Sequence, residues 1–126
     1  MTKVLIVEDD LILIEMYQRK FETEGFEVVT AYNGEEGLEK MKSVHPDIVV
    51  LDIMMPKLNG LQMLHMAKAD DAIKNIPVLV LTNVFSDTDA QMFADAGVAG
   101  YLVKSDSTPD QAIEKVKNII LGLNKS

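Results

Sequence analysis

Short apolar runs alternate with longer segments of helical periodicity, and this alternation occurs five times along the chain. The apolar runs are residues 4–7, 27–31, 48–51, 78–81 and 101–103. The first, third and fourth runs are apolar at every position, which is typical of strands buried on both faces of a parallel sheet. The segments between them space apolar residues as amphipathic helices do. We therefore predict a (βα)5 domain with helices on both faces of one parallel sheet.

Capping residues mark the expected helix boundaries. Four short polar residues stand three positions before a side chain that can reach back to the backbone, as in a capping box. These pairs are Asn33 with Glu36, Asn59 with Gln62, Ser86 with Asp89, and Thr108 with Gln111. Gly25 and Gly97 stand where the first and fourth helices should end in a left-handed residue. The fourth helix, residues 87–96, offers a small inward face of Ala90, Phe93 and Ala94, so we expect it to be lightly packed.

Composition narrows the class of protein. The 126 residues are the length of one domain, so we assign residues 1–126 to a single domain. With 12 basic and 20 acidic residues, the net charge of -8 argues against a general affinity for nucleic acid or anionic membranes. The absence of cysteine excludes disulfides, thiolate metal sites and cysteine nucleophiles. No signal peptide or membrane-length apolar run is present, and we expect a soluble, cytoplasmic protein.

Polar residues follow four of the five apolar runs directly. They are Glu8, Asp9 and Asp10 after the first run, Asp52 after the third, Thr82 after the fourth and Lys104 after the fifth. Each one alone has a structural explanation as a turn residue, a helix cap or a solvated charge. Together they would share the rim of the sheet where ligands of open α/β folds bind. Clustered carboxylates with no histidine or cysteine ligand indicate a hard cation, most simply Mg2+, and these are the parts for phosphoryl transfer onto an aspartate.

Four segments carry a resemblance to a known family. They read VLIVEDD at residues 4–10, VVLDIMMPKLNG at 49–60, VLVLTN at 78–83 and GYLVK at 100–104. In this order they resemble the receiver domain of bacterial two-component response regulators, and the resemblance extends over residues 3–123. It implies a flavodoxin-like fold with the strand order 2-1-3-4-5, which a chemotaxis regulator also has.

The resemblance also implies roles for the acidic residues. Asp52 corresponds to the phosphoacceptor. Asp9 and Asp52 correspond to direct Mg2+ ligands, with Glu8 acting through water and the backbone carbonyl of Met54 as a further ligand. By this register, the neighbouring Asp10 is not a ligand.

A switch and its partners follow from the same resemblance. Thr82 corresponds to the switch hydroxyl, Lys104 to the phosphate-binding lysine and Tyr101 to an aromatic ring that turns inward on phosphorylation. A sensor histidine kinase or phosphotransfer protein would donate the phosphoryl group, and a downstream protein would read the fourth helix, fifth strand and fifth helix. The chain would catalyse only its own phosphorylation and dephosphorylation, and would not act as a general enzyme.

Two positions depart from the family pattern, and two apolar residues bear on the lifetime of the phosphorylated state. Ser105 follows Lys104 where most members carry a cis proline, so we expect either a cis bond or a rearranged loop, with consequences for the reach of Lys104. Asn83 is larger than the usual small residue and is expected to narrow the access of phosphodonors. Met54 and Val84 are apolar where water reaches the acyl phosphate, which favours slow self-dephosphorylation.

Other functions remain open at this point. The chain could be a receiver from a longer regulator or hybrid kinase, although an initiating Met weakly favours a stand-alone protein. A haloacid dehalogenase-like phosphatase would need an acid where Met54 stands, and a nucleotide or flavin binder would need glycines where Glu8, Asp9 and Asp10 stand. A phosphorylation-independent interaction module is opposed by the intact set of acids, hydroxyl and lysine, whereas Asn83 and Ser105 leave it some room.

Overall fold

The computed structural model describes residues 2–53, 60–82, 87–104 and 108–124. Strands and helices alternate along the chain: β1 (Lys3–Val7), α1 (Leu11–Thr23), β2 (Glu27–Ala31), α2 (Gly34–Val44), β3 (Ile48–Asp52), α3 (Gly60–Lys68), β4 (Val78–Thr82), α4 (Asp87–Asp95), β5 (Gly100–Val103) and α5 (Pro109–Asn124). The five strands form one parallel sheet in the order β2-β1-β3-β4-β5. The predicted flavodoxin-like (βα)5 fold is therefore confirmed.

The three inner strands are the ones whose sequences are continuously apolar. Every residue of β3 and β4 is buried, as are the last four residues of β1. The edge strands β2 and β5 are only partly covered. Because a parallel strand with helices on both sides has no solvent-facing surface, continuous apolarity marks the centre of the sheet.

The helices complete one hydrophobic layer on each face of the sheet. On one face, α1 and α5 pack through Tyr17, Phe21, Ala112, Ile113 and Val116 against alternate strand residues. On the other face, α2, α3 and α4 contribute Leu38, Met41, Met63, Leu64, Ala67 and Phe93. Since consecutive strand side chains point to opposite faces, both layers are anchored on the same inner strands, and this fixes the strand ends that carry the polar residues.

Helix caps agree with the sequence wherever the structure describes them. Asn33 Oδ1 accepts a hydrogen bond from the Glu36 amide at 2.9 Å. The Thr108 amide donates to Gln111 Oε1 at 2.7 Å and the Gln111 amide donates to Thr108 Oγ1 at 3.3 Å, which is a complete capping box. Asn59 and Ser86, the other two predicted caps, lie outside the described residues.

The C-terminal ends of two helices contain the expected left-handed glycines, with φ of 91° at Gly25 and 76° at Gly97. His45, which ends α2, also has a left-handed φ of 50°. The sequence does not predict this conformation, because histidine adopts left-handed backbone angles only occasionally and is common elsewhere.

Of the three residues predicted for the inward face of α4, the side chain of Ala90 lies outside the described part of the chain, and one of the other two differs from the prediction. Phe93 is buried, as expected, and Met92 and Ala96 pack partly against the same core. Ala94 is instead exposed, so its assignment to the inward face was wrong. The bulky Phe93 sets the rotation of the helix, and this rotation brings Met92 and Ala96 to the sheet. Within the described ranges, no helix combines the length and the hydropathy of a membrane span.

Candidate functional site

The strand order brings four carboxyl ends together on one rim of the sheet. Val7 of β1 pairs with Leu51 of β3, so the next residues along the two chains, Glu8 and Asp52, lie side by side. Asp52 in turn pairs with Leu81, and Thr82 at the end of β4 pairs with Val103. The chain leaves β1 toward β2 on one side and β3 lies on the other, so this rim is the point where ligands of open α/β sheets bind.

Lys104 lies at the centre of the acidic cluster. Its Nζ atom is 3.0 and 3.1 Å from the two carboxyl oxygens of Glu8 and 3.1 Å from Asp52 Oδ2. The side chains of Glu8 and Asp52 are each 2% exposed and that of Lys104 is 15% exposed. Lys104 therefore reaches both acids, although Ser105, the departure that put this reach in question, itself lies outside the described residues.

Burial and charge set the protonation of this cluster. Burial, a hydrogen bond to Asp52 and the charge of Asp52 together raise the pKa of Glu8 to about 8, against the opposing effect of Lys104. Burial alone would lower the pKa of Lys104, but its hydrogen bond to Glu8 and the charges of Asp52 and Glu8 outweigh burial and raise it. At neutral pH and without a metal, Glu8 therefore keeps a proton and Lys104 is charged.

Three carboxylates are close enough to share one cation. Glu8, Asp9 and Asp52 each offer an oxygen, and these three atoms lie within 4.8 Å of one another. Glu8 and Asp52 are buried, whereas Asp9 is exposed and leaves one side of the cluster open to solvent. An all-oxygen donor set with an open side suits a hard cation that keeps some of its water, as Mg2+ does. The chemistry of the residues therefore fits the expected metal.

Thr82 lies on the same rim, whereas Tyr101 lies below it on β5, opposite Val80 of β4. Thr82 is the last residue of β4 and is 4% exposed, so its hydroxyl is part of the buried floor of the site. Tyr101 lies on the edge strand β5 with 38% of its surface exposed, and its ring centroid is 6.0 Å from that of Phe93. The ring is thus on the surface in this structure and rests on the buried side chain of α4.

Two neighbouring residues have functions that the sequence did not distinguish. Asp10 caps α1, because its Oδ1 accepts from the amides of Ile12 and Leu13 at 3.0 and 3.2 Å. Asp10 is not among the three acids close enough to share a cation, which agrees with the prediction that it is not a ligand. Tyr17 of α1 is buried, and burial raises the pKa of its phenol, on which the charges of Lys104, Glu8 and Asp52 also act.

Several predicted features fall outside the described residues. They are the backbone carbonyl of Met54 as a metal ligand and the effects expected of Asn83, Val84 and Ser105. The residues that the structure does bring together are Glu8, Asp9, Asp52 and Lys104, with Thr82 on the adjoining strand end.

The comparisons with known proteins agree with this geometry. Polar-differentiation response regulator DivK of Brucella abortus (strain 2308) is 31% identical over 121 residues, which cover 95% of this chain and 98% of DivK. The alkaline phosphatase synthesis transcriptional regulatory protein PhoP of Bacillus subtilis (strain 168) is 32% identical over 118 residues, or 94% of this chain. The aligned part is 48% of PhoP, so the chain spans about half the length of that relative.

Solved structures give the same result. Chemotaxis protein CheY4 of Vibrio cholerae superposes with a TM-score of 0.88 and is 28% identical, over 94% of this chain and 98% of CheY4. The family described as the response regulator receiver domain matches residues 4–117. This match favours the receiver interpretation over the phosphatase and nucleotide-binding alternatives, and all four segments of the predicted resemblance begin within it. The chain belongs to the response regulator receiver domain family of two-component systems.

Proposed function

We propose that residues 1–126 form one receiver unit in which Asp52 accepts a phosphoryl group in a Mg2+-dependent reaction. The observation that carries this proposal is the pairing of a buried Asp52 carboxylate with Lys104 at 3.1 Å, beside two further acids. In the reaction, a carboxylate oxygen of Asp52 bonds to phosphorus as the P–N bond of a phosphohistidine breaks. The electron pair of that bond stays on the imidazole nitrogen, which takes a proton.

Asp52 is a better acceptor than its acidic neighbours. Glu8 is equally buried, but both of its oxygens accept hydrogen bonds from Lys104, at 3.0 and 3.1 Å, which makes them poorer nucleophiles. Asp9 is exposed and opens the cluster to solvent, which suits a metal ligand that exchanges water. Asp52 combines burial with a neighbouring cation and terminates a central strand of the sheet.

The remaining residues of the site stabilise charge. Lys104 is positioned to neutralise an oxygen of the incoming phosphoryl group, and Thr82 to donate a hydrogen bond to another. Glu8, Asp9 and Asp52 would hold Mg2+, with the Met54 carbonyl as a further proposed ligand. When bound, Mg2+ supplies positive charge beside the phosphoryl oxygens and offsets repulsion among the acids.

The signal would leave the site through Thr82 and Tyr101. A phosphoryl group on Asp52 attracts the Thr82 hydroxyl, and its movement leaves room for the exposed Tyr101 ring to turn inward past Phe93. This is a shift between two conformations that the new charge favours unequally. The surface formed by α4, β5 and α5 would then bind a downstream protein, without direct contact to nucleic acid.

The proposed partners are a sensor histidine kinase or a phosphotransfer protein as donor and a protein target as receiver of the signal. The net charge of -8 supports protein partners over nucleic acid or membrane. A cytoplasmic location stays a prediction of the same proposal. Catalysis is limited to the chain's own phosphorylation and dephosphorylation.

Intact mass measurement after incubation with acetyl phosphate tests the proposal. The wild-type chain is expected to gain the mass of one phosphoryl group in the presence of Mg2+. Asp52→Asn and a wild-type sample with a metal chelator are both expected to gain nothing. A folded wild-type chain that gains no mass from acetyl phosphate or from a phosphohistidine donor would support the phosphorylation-independent interaction module instead.

A further inference from the structure

Gly60 lies against the backbone of the proposed phosphoacceptor. It is the buried first residue of α3, and its amide donates a hydrogen bond to the carbonyl oxygen of Ile53 at 3.1 Å. A Cβ atom built on Gly60 would lie 2.4 Å from the carbonyl oxygen of Asp52 and 2.6 Å from the Cα of Ile53. Real Cβ atoms essentially never approach another heavy atom within 3.0 Å, so no side chain fits here without movement of the backbone.

Space, and not backbone conformation, requires glycine at this position. The φ angle of Gly60 lies outside the left-handed region, unlike those of Gly25 and Gly97. Alanine could therefore adopt the same backbone angles without strain. Its methyl group would instead force α3 and the end of β3 apart by at least 0.6 Å, the difference between 2.4 and 3.0 Å.

We propose that Gly60 is a positioning residue that holds the Asp52 backbone for phosphoryl transfer, an inference that rests on the proposed function of Asp52. The end of β3 is fixed from two sides. The Ile53 amide donates to the Leu81 carbonyl of β4 at 3.1 Å, and Gly60 closes on the opposite side of the same peptide segment. Displacement of this segment moves the Asp52 carboxylate relative to Lys104 and to the other acids.

Gly37 provides a matched control for the loss of a buried glycine. It lies in α2, in the layer that also contains α3, and a Cβ there would meet Met63 Sδ at 2.9 Å and Val7 Cγ2 at 3.0 Å. These neighbours are side-chain atoms, and the thioether of Met63 can rotate away. Gly37→Ala therefore crowds the same core layer but leaves the Asp52 backbone in place.

The first experiment compares phosphorylation rates with saturating acetyl phosphate and Mg2+, at a temperature where all variants are folded. Because misplacement of a reacting group by about 1 Å can cost about 100-fold in rate, Gly60→Ala is expected to be slower than wild type by about tenfold or more. Gly37→Ala is expected to match wild type, whatever its melting temperature. Equal rates for Gly60→Ala and wild type, or equal losses in both variants, would show a merely structural role.

The same experiment separates the two proposals. A wild-type chain that takes up no phosphoryl group contradicts the function of Asp52, and the positioning role falls with it. If wild type is phosphorylated and Gly60→Ala is phosphorylated equally fast, only the positioning role is contradicted.

A second measurement uses the wild-type chain alone and does not depend on the folding of a variant. If the Gly60 contact positions Asp52, occupation of the site by a phosphoryl analogue is expected to stabilise that contact in turn, since the coupling of binding to conformation is reciprocal. With Mg2+ and fluoroberyllate as a phosphoryl analogue, amide exchange at Gly60 is expected to slow by about tenfold or more. The Gly37 amide, bonded to the Asn33 carbonyl at 2.9 Å, is the internal reference and should not change. An unchanged Gly60 amide would refute the positioning role.

Discussion

Replacement of Glu8 by glutamine should remove a pH dependence from the folding stability. Glu8 is 2% exposed, and burial together with Asp52 raises its pKa from the ordinary value of 4.5 to about 8 in the folded chain. Glutamine has nearly the same shape, accepts a hydrogen bond from Lys104 through its one oxygen and can donate to Asp52 through its amide, at the loss of the second Lys104 contact. Glu8→Gln thus eliminates the titration of this position, and any cost of the lost contact does not vary with pH in this range.

The sign and size of the effect follow from proton linkage. Between pH 4.5 and about 8 the folded chain holds a proton on Glu8 that the unfolded chain has released. A group with a raised folded-state pKa contributes its full stability below the unfolded value, and this stability is lost as the pH rises through the folded value. Within that window, the free energy of unfolding of wild type should fall relative to Glu8→Gln by about 1 kcal/mol per pH unit.

Urea unfolding of both proteins in chelator-containing buffer, followed by circular dichroism, measures this difference. Between about pH 5.5 and about pH 7.5 the wild-type stability should decline by about 2 kcal/mol relative to the variant. Saturating Mg2+ should abolish the decline, because a cation favours the ionised carboxylate in the folded state as well. A difference that stays constant with pH in the absence of metal would refute the protonation assigned to Glu8.

Two further predictions separate the functions of neighbouring side chains. Asp9→Asn should weaken Mg2+ binding, measured by calorimetry, with little change in metal-free stability. Asp10→Ala should lose about 1 kcal/mol of stability, because it removes the α1 cap, and should keep its Mg2+ affinity. The opposite pattern would exchange the two assignments. Lys104→Met keeps the length of the side chain without its charge and should slow phosphorylation by acetyl phosphate about 100-fold while the chain stays folded; an unchanged rate would exclude Lys104 from charge stabilisation.

The sequence predicted the fold well because its main signals are local. Continuous apolarity in residues 48–51 and 78–81 identified strands that the helices cover on both faces. The capping box of Thr108 and Gln111 depends on residues only three positions apart and was confirmed. The site was accessible to the same reasoning, because parallel strands place all their carboxyl ends on one rim.

The features that the sequence did not predict depend on tertiary packing. The orientation of Ala94 toward solvent follows from how Phe93 seats α4 on the core, and no single helical turn encodes it. The raised pKa of Glu8 depends on burial in the folded chain and on Asp52, which lies at the end of another strand. The close approach of Gly60 to the Asp52 carbonyl is likewise a contact between two elements, whereas the sequence shows only a glycine at the start of a helix.

Chemical mapping of the phosphorylated residue tests the central assignment most directly. The chain is incubated with acetyl phosphate and Mg2+, reduced with borohydride and digested, because borohydride converts an aspartyl phosphate to homoserine and leaves free carboxylates unchanged. Mass spectrometry of the peptides is expected to find homoserine at position 52 alone. Homoserine at position 9 or 10, or phosphoryl uptake that leaves Asp52 unmodified, would contradict the assignment of Asp52 as the acceptor.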